Sequence, residues 1–133
     1  MKDNTLFWLL LYICIRKLNR EIMRELNLQY PTCPIRNVLV RISDKWSLLV
    51  LCTLEGSETM RYKDLVAVIP DISHKMLTNT LKRLEQDRFI SRKAYAEIPP
   101  RVEYSLTEIG KSLMPTIQQM IDWAQQHFEY ITK

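Results

Sequence analysis

Glycine is scarce in this chain: only Gly56 and Gly110 occur among 133 residues. Loops that cradle phosphates need several closely spaced glycines, so Walker-type and dinucleotide-binding loops are excluded. Histidine is equally rare. His74 and His127 stand in no motif that pairs them with a nucleophile or carboxylate, and no enzymatic role is expected. The three cysteines, Cys14, Cys33 and Cys52, are odd in number and widely spaced. They form no Cys-x-x-Cys or Cys/His pattern suited to zinc, so neither metal nor cofactor is expected. Such a count fits a reducing cytoplasm. No apolar run is long enough for a bilayer. Leu6 to Ile15 (LFWLLLYICI) covers ten residues, against the roughly 20 that a spanning helix needs. It is also a poor signal peptide, because Asp3 precedes it, Arg16 and Lys17 follow directly, and no small-residue cleavage site comes next.

What the chain does have is a patterned stretch from Ser73 to Leu106. Ser73 is placed to cap a helix, with Ile72 and Leu77 as a hydrophobic staple across the cap. Leu77, Leu81 and Leu84 recur at i, i+4 and i+7 and make one apolar stripe. At about 100° per residue, Lys75, Thr78, Asn79, Lys82 and Gln86 fall on the opposite side. Lysine can donate to phosphates and guanine edges, and asparagine or glutamine can read adenine. The first turn of such a helix goes deepest into a groove. Ser73, His74, Lys75, Thr78, Asn79 and Lys82 are therefore the candidate DNA contacts of the helix.

The flanks sharpen that reading. Tyr62 to Ile69 has helical spacing and stops at Pro70–Asp71, so two short helices are joined by a tight turn, a helix-turn-helix. Downstream, Phe89 to Ala96 and Arg101 to Leu106 are strand-like, with Ala96 to Pro100 (AEIPP) as the connection. Val102, Tyr104 and Leu106 alternate with Arg101, Glu103 and Ser105, so one face covers the core. Arg92, Lys93 and Arg101 make the hairpin a candidate phosphate grip, since neutralising phosphates releases counterions whatever the sequence. The net charge of +4 and pI near 9.0 permit a nucleic-acid partner without requiring one. An acidic or apolar helix face would instead mark a winged helix that binds protein and never touches DNA, which is the alternative function.

The rest of the chain supplies the frame. One domain is expected at this length: residues 1–32 are an N-terminal helical extension, and 33–133 a winged helix-turn-helix with a dimerisation helix from about 107. Two readings of the extension stay open. It is a helix packing on the domain or on a second subunit, or the natural start is Met23 and the preceding residues are not native. Pro34 predicts a helix start, with Val38, Leu39 and Ile42 inward. Trp46 to Leu54 (WSLLVLCTL) is apolar nearly all round and predicts the central buried helix, with Cys52 as a small core residue. Met60 and Arg61 form a short strand against the hairpin. Thr107 caps a last helix that Pro115 kinks or restarts. There Ile117, Met120, Ile121, Ala124 and Phe128 form a seam with coiled-coil-like spacing, beside Trp123. A domain this small cannot absorb them all, which predicts a two-fold homodimer.

Several of these motifs in order resemble one family. They are Cys33-Pro34, Lys45-Trp46, Arg61-Tyr62 with Asp64-Leu65, and Ile72-Ser73-His74-Lys75-Met76-Leu77. Leu81-x-x-Leu84, the run Pro99-Pro100-Arg101-Val102-Glu103-Tyr104-Ser105-Leu106-Thr107, Gly110 and Trp123 follow. The chain resembles the HxlR family of bacterial transcription regulators, relatives of the MarR-type winged helices, from Cys33 to about Phe128. The resemblance implies a mainly α fold with a small β-hairpin, a dimer built on terminal helices, and a recognition helix and wing on double-stranded DNA. It implies a sequence-specific regulator acting on a pseudo-palindromic operator. Cys33 falls on the family's N-terminal Cys-Pro cysteine, which in some members senses oxidants or electrophiles, so an oxidant or small-molecule effector is an expectation. Ser43-Asp44 departs from the family, whose members more often carry glycine there.

Overall fold

The computed structural model describes residues 33–133. The chain divides into two units, Met1–Leu39 and Val40–Lys133. The apolar run Leu6–Ile15, the start-site reading at Met23 and Cys14 lie outside the described residues.

Helix α1 spans Pro34–Ile42, with the proline at its first position as expected. Its stripe does not turn inward as a whole. Val38 and Leu39 are 39% and 48% exposed, and only Ile42 enters the core. Periodicity identifies the apolar face of a helix but cannot say whether anything covers it.

The second unit is built around α2, Lys45–Glu55, whose Ser47, Val50, Leu51 and Leu54 are buried. It contacts helices α3 (Tyr62–Val68), α4 (His74–Gln86) and α5 (Glu108–Ile131), and strand β3 (Arg101–Leu106). Its broad apolar surface is what lets one helix meet several neighbours, although Leu49 stays 40% exposed and leaves one side open. Asp44 forms its N-cap, accepting from the Ser47 amide at 3.0 Å and the Ser47 hydroxyl at 2.7 Å. The departure from glycine at 43–44 thus supplies a cap acceptor that glycine lacks.

Three strands form one antiparallel sheet in the order β1 (Met60–Arg61), β3, β2 (Ile90–Tyr95). Ile90 faces Leu106 and Arg92 faces Tyr104, which places Lys93 opposite Glu103 and Tyr95 opposite Arg101 on the other surface. On the far side of β3, Arg61 also faces Glu103.

Helix α5 corrects one expectation. It runs unbroken through Pro115. The proline deletes one backbone donor, but its ring lies exposed, and Met114 and Ile117 on either side are anchored in the core. Packing on both sides holds the helix together.

Candidate nucleic-acid interface

Helix α4 forms as its sequence demands. The Ser73 hydroxyl accepts from the Met76 amide at 3.1 Å, and Ile72 and Leu77, the staple pair, are both buried. Leu77, Leu81 and Leu84 lie in the core, while His74, Lys75, Thr78, Asn79 and Lys82 are exposed. The C-terminus closes in a Schellman arrangement, with Arg88 N–H donating to Glu85 O and Phe89 N–H to Leu84 O, both at 3.0 Å. Arg88 takes the left-handed position at φ 64°, where a side chain costs about 1 kcal/mol relative to glycine.

Two contacts fix α4 against the helices beside it. Arg83 Nη2 reaches Asp44 Oδ2 at 2.5 Å and Ser47 Oγ at 2.8 Å, binding the recognition helix to the cap of α2. Burial alone would raise the Asp44 carboxyl. The Ser47 hydroxyl and amide, the Arg83 charge and the Trp46 amide outweigh it and hold the group below its ordinary value of 3.8. One turn further along, at the C-cap of the same helix, Arg41 pairs with Asp87, whose side chain is nearly buried. An acid at a helix C-terminus opposes the dipole, and the guanidinium compensates.

The candidate cations are not equivalent. Lys75 and Lys82 carry no ion pair among the described residues, and Arg92 is likewise exposed and unpaired. Lys93 is exposed with its Nζ 4.9 Å from the Tyr95 ring. Arg101 is different. It pairs with Glu97 at 2.8 Å and Glu103 at 3.1 Å, and its guanidinium lies 4.0 Å over the Tyr95 ring. Two carboxylates and an aromatic ring thus flank it within the hairpin, whereas Arg92 has no such partner. Alternation along β3 marks Arg101 as outward but cannot show which acids flank it.

Three residues beside this surface, Arg61 and Met76 exposed and Tyr62 half-buried, were not among the candidate contacts read from the sequence. Arg61 stands on β1 in register with Glu103. Met76, in the first turn of α4, is 42% exposed and offers an apolar group of the kind that meets a thymine methyl. Tyr62 bonds to the recognition helix itself: its hydroxyl lies 3.1 Å from both His74 Nδ1 and His74 O. The signal for Arg61 and Tyr62 was their place in a motif, Arg61-Tyr62, read only for the family resemblance.

The seam on α5 divides. Ile117 is buried in the core of its own chain, whereas Ile121 is half-buried, packing on that core and lining a surface groove with Ala124 and Phe128. Met120, Ala124 and Phe128 remain exposed, with Trp123, Tyr130 and Ile131 beside them.

A buried helix pair with a short turn, a cationic second helix and a three-stranded wing on one surface is the arrangement of a winged helix-turn-helix. The model of the HxlR-like helix-turn-helix family matches residues 41–132. The chain belongs to that family. It is a DNA-binding transcriptional regulator of the helix-turn-helix class. The HTH-type regulator YtfH of Escherichia coli is 40% identical over 103 residues, 77% of this chain and 81% of that protein. Among solved structures, the redox regulator HypR in its oxidised form superposes with a TM-score of 0.66 at 35% identity, over 71% of this chain and 96% of that one. The diamide-treated YodB of B. subtilis gives 0.62 at 35% identity, over 73% and 96%. The HxlR-like relatives it matches are named as transcriptional regulators. Among the described residues, no helix is long and apolar enough to cross a membrane.

Proposed function

We propose that this HxlR-like chain works as a homodimer on a pseudo-palindromic operator, with α4 of each protomer in successive major grooves about 34 Å apart. The observation that carries this reading is the outer face of α4, where Lys75, Thr78, Asn79 and Lys82 are exposed and no described acid neutralises the lysines. Lys75 and Asn79 read bases, Arg92 and Lys93 hold flanking phosphates, and Arg101 stiffens the wing that carries them. Dimerisation falls to Met120, Ala124 and Phe128, with Trp123 added, since a row of exposed apolar side chains on one helix suits a second copy. An apolar or acidic recognition face, which a protein-binding winged helix would need, is contrary to the exposed lysines.

The test is a retention assay on fragments of the protein's own genome. Lys75→Ala or Asn79→Ala is expected to erase discrimination between retained and unretained fragments while weak general binding persists. Equal discrimination in both variants would refute the base-reading assignment.

The regulatory signal in this proposal is an oxidant or electrophile acting at Cys33. The solved oxidised and reduced forms of the redox regulator HypR, and the reduced and diamide-treated forms of YodB, support it. Cys33 sits directly before the first position of α1. It is wholly buried, so a reagent reaches it only when its surroundings open. Cys52 is the poorer candidate: burial first, and the Glu55 carboxylate second, push its thiol up and away from the reactive form. Diamide is expected to weaken DNA retention, Cys33→Ser to abolish that response and Cys52→Ser to keep it. An undiminished response in Cys33→Ser would remove the assignment.

A further inference from the structure

His74 opens the recognition helix, directly after the Ser73 cap. Its ring is not loose. It stacks on the Tyr62 ring with centroids 5.9 Å apart and planes 17° from parallel. The Tyr62 hydroxyl lies 3.1 Å from His74 Nδ1, 3.1 Å from His74 O and 3.5 Å from Thr78 Oγ1. A phenol has one hydrogen, and a carbonyl oxygen only accepts. Donation to His74 O therefore uses that hydrogen. Donation to Nδ1 instead would reverse the tautomer; with the hydrogen on His74 O, the phenolic oxygen is left to accept and His74 Nδ1 carries the ring proton. The neutral imidazole is thereby held with Nε2 as a bare acceptor. His74 is exposed, and no described residue bonds Nε2.

We propose that His74 reads a base pair as a hydrogen-bond acceptor, with Tyr62 as the positioning residue that sets its tautomer. This rests on the reading of α4 as the groove helix. In the major groove the donors are the exocyclic amines, N4 of cytosine and N6 of adenine. His74 is thus matched to an amine-bearing edge and mismatched to guanine O6 or thymine O4, which would face its lone pair. Lys75, the next residue, only donates, so the first turn offers an acceptor and a donor side by side.

The experiment has two arms. In the first, wild type, Tyr62→Phe and His74→Ala each select duplexes from a randomised pool, and the enriched sequences are compared. The wild type is expected to prefer C or A at one position of each half-site by about tenfold, within the range of one specific base contact. Both variants are expected to bring that position below twofold while the other positions keep their preferences. In the second arm, long-range proton–nitrogen NMR of the free protein, above the ordinary imidazole titration range, reports which ring nitrogen carries the proton. A His127→Gln control assigns the remaining signal to His74. The expected result is an Nδ1-protonated tautomer that Tyr62→Phe converts to a mixture. An enriched pool whose motif survives in Tyr62→Phe, or a wild-type tautomer protonated at Nε2, overturns the proposal alone. A wild-type pool with no enriched motif overturns the operator reading and this proposal with it, whereas the NMR arm needs no DNA.

Discussion

The two glycines make opposite predictions, and together they test the packing of the wing against α5. A Cβ built on Gly110 would lie 2.2 Å from Phe89 O, 3.2 Å from Phe89 C and 3.3 Å from Leu106 Cδ2. Ordinary contact begins near 3.4 Å, so the first distance is short by more than 1 Å. The carbonyl cannot retreat freely. It accepts from the Thr107 amide at 3.1 Å, and the Thr107 hydroxyl, which donates to Arg88 O at 2.6 Å and lies 3.1 Å from Phe89 O, also accepts from Gly110 N–H to cap α5. Relief of the clash therefore moves the helix start or breaks bonds of its cap. Overpacking of this kind costs about 1–3 kcal/mol, and each hydrogen bond lost adds about 1 kcal/mol. Against this, alanine gains up to about 1 kcal/mol in helix propensity. The net expectation for Gly110→Ala is a loss of about 2–3 kcal/mol.

Gly56 is the control. It caps α2 at φ −70°, and its added Cβ would meet nothing closer than Thr53 O at 3.6 Å. Gly56→Ala should be neutral or stabilising by about 0.5 kcal/mol, because it reduces the freedom of the unfolded chain. Thermal melts followed by circular dichroism separate the two cases, since about 1 kcal/mol corresponds to roughly 3–5 °C at this size. Gly110→Ala should melt about 6–15 °C below wild type and Gly56→Ala at or slightly above it. A Gly110→Ala protein as stable as wild type would refute the close approach of Phe89 to α5.

Three further outcomes follow from named contacts. Asp44 titrates below its ordinary 3.8 in the folded protein, so its contribution is fully present above the unfolded value and is lost as pH falls through the folded one; urea midpoints should fall below about pH 4 more steeply in wild type than in Asp44→Asn, and parallel curves would contradict the Asp44–Arg83 contact. Thr80 is buried with a hydroxyl that finds no partner, and Thr80→Val should gain about 1 kcal/mol in urea unfolding; a loss would mean that the hydroxyl is bonded. Arg92→Ala should lower the slope of log affinity against log salt by about one, whereas Arg101→Ala, whose charge Glu97 and Glu103 already neutralise, should leave the slope unchanged; equal slope changes would return Arg101 to the phosphate contacts.

What was legible in the sequence was whatever depends on neighbours along the chain. The cap at Ser73, the leucine stripe behind it and the cap at Thr107 each follow from spacings of three or four residues, and the structure has all three; the alternation expected of β3 does not appear in its burial, since all six residues are half-buried, although Tyr104 and Leu106 do pack against the core. What stayed hidden depends on partners distant in sequence. Arg101 and Arg92 look alike in a string of letters, yet one is enclosed by Glu97, Glu103 and Tyr95 and the other stands open. Ile117 and Phe128 share one seam by spacing, but the first is 3% exposed and the second 63%, because the core ends partway along α5. Pro115 broke the helix by local rule and failed to break it in the fold, since Met114 and Ile117 are both anchored. Gly110 shows how the two kinds of information meet. As a letter it is a poor residue for a helix. Its place in the third position of α5 makes sense only once the Phe89 carbonyl, 21 residues earlier, is found where its side chain would have been.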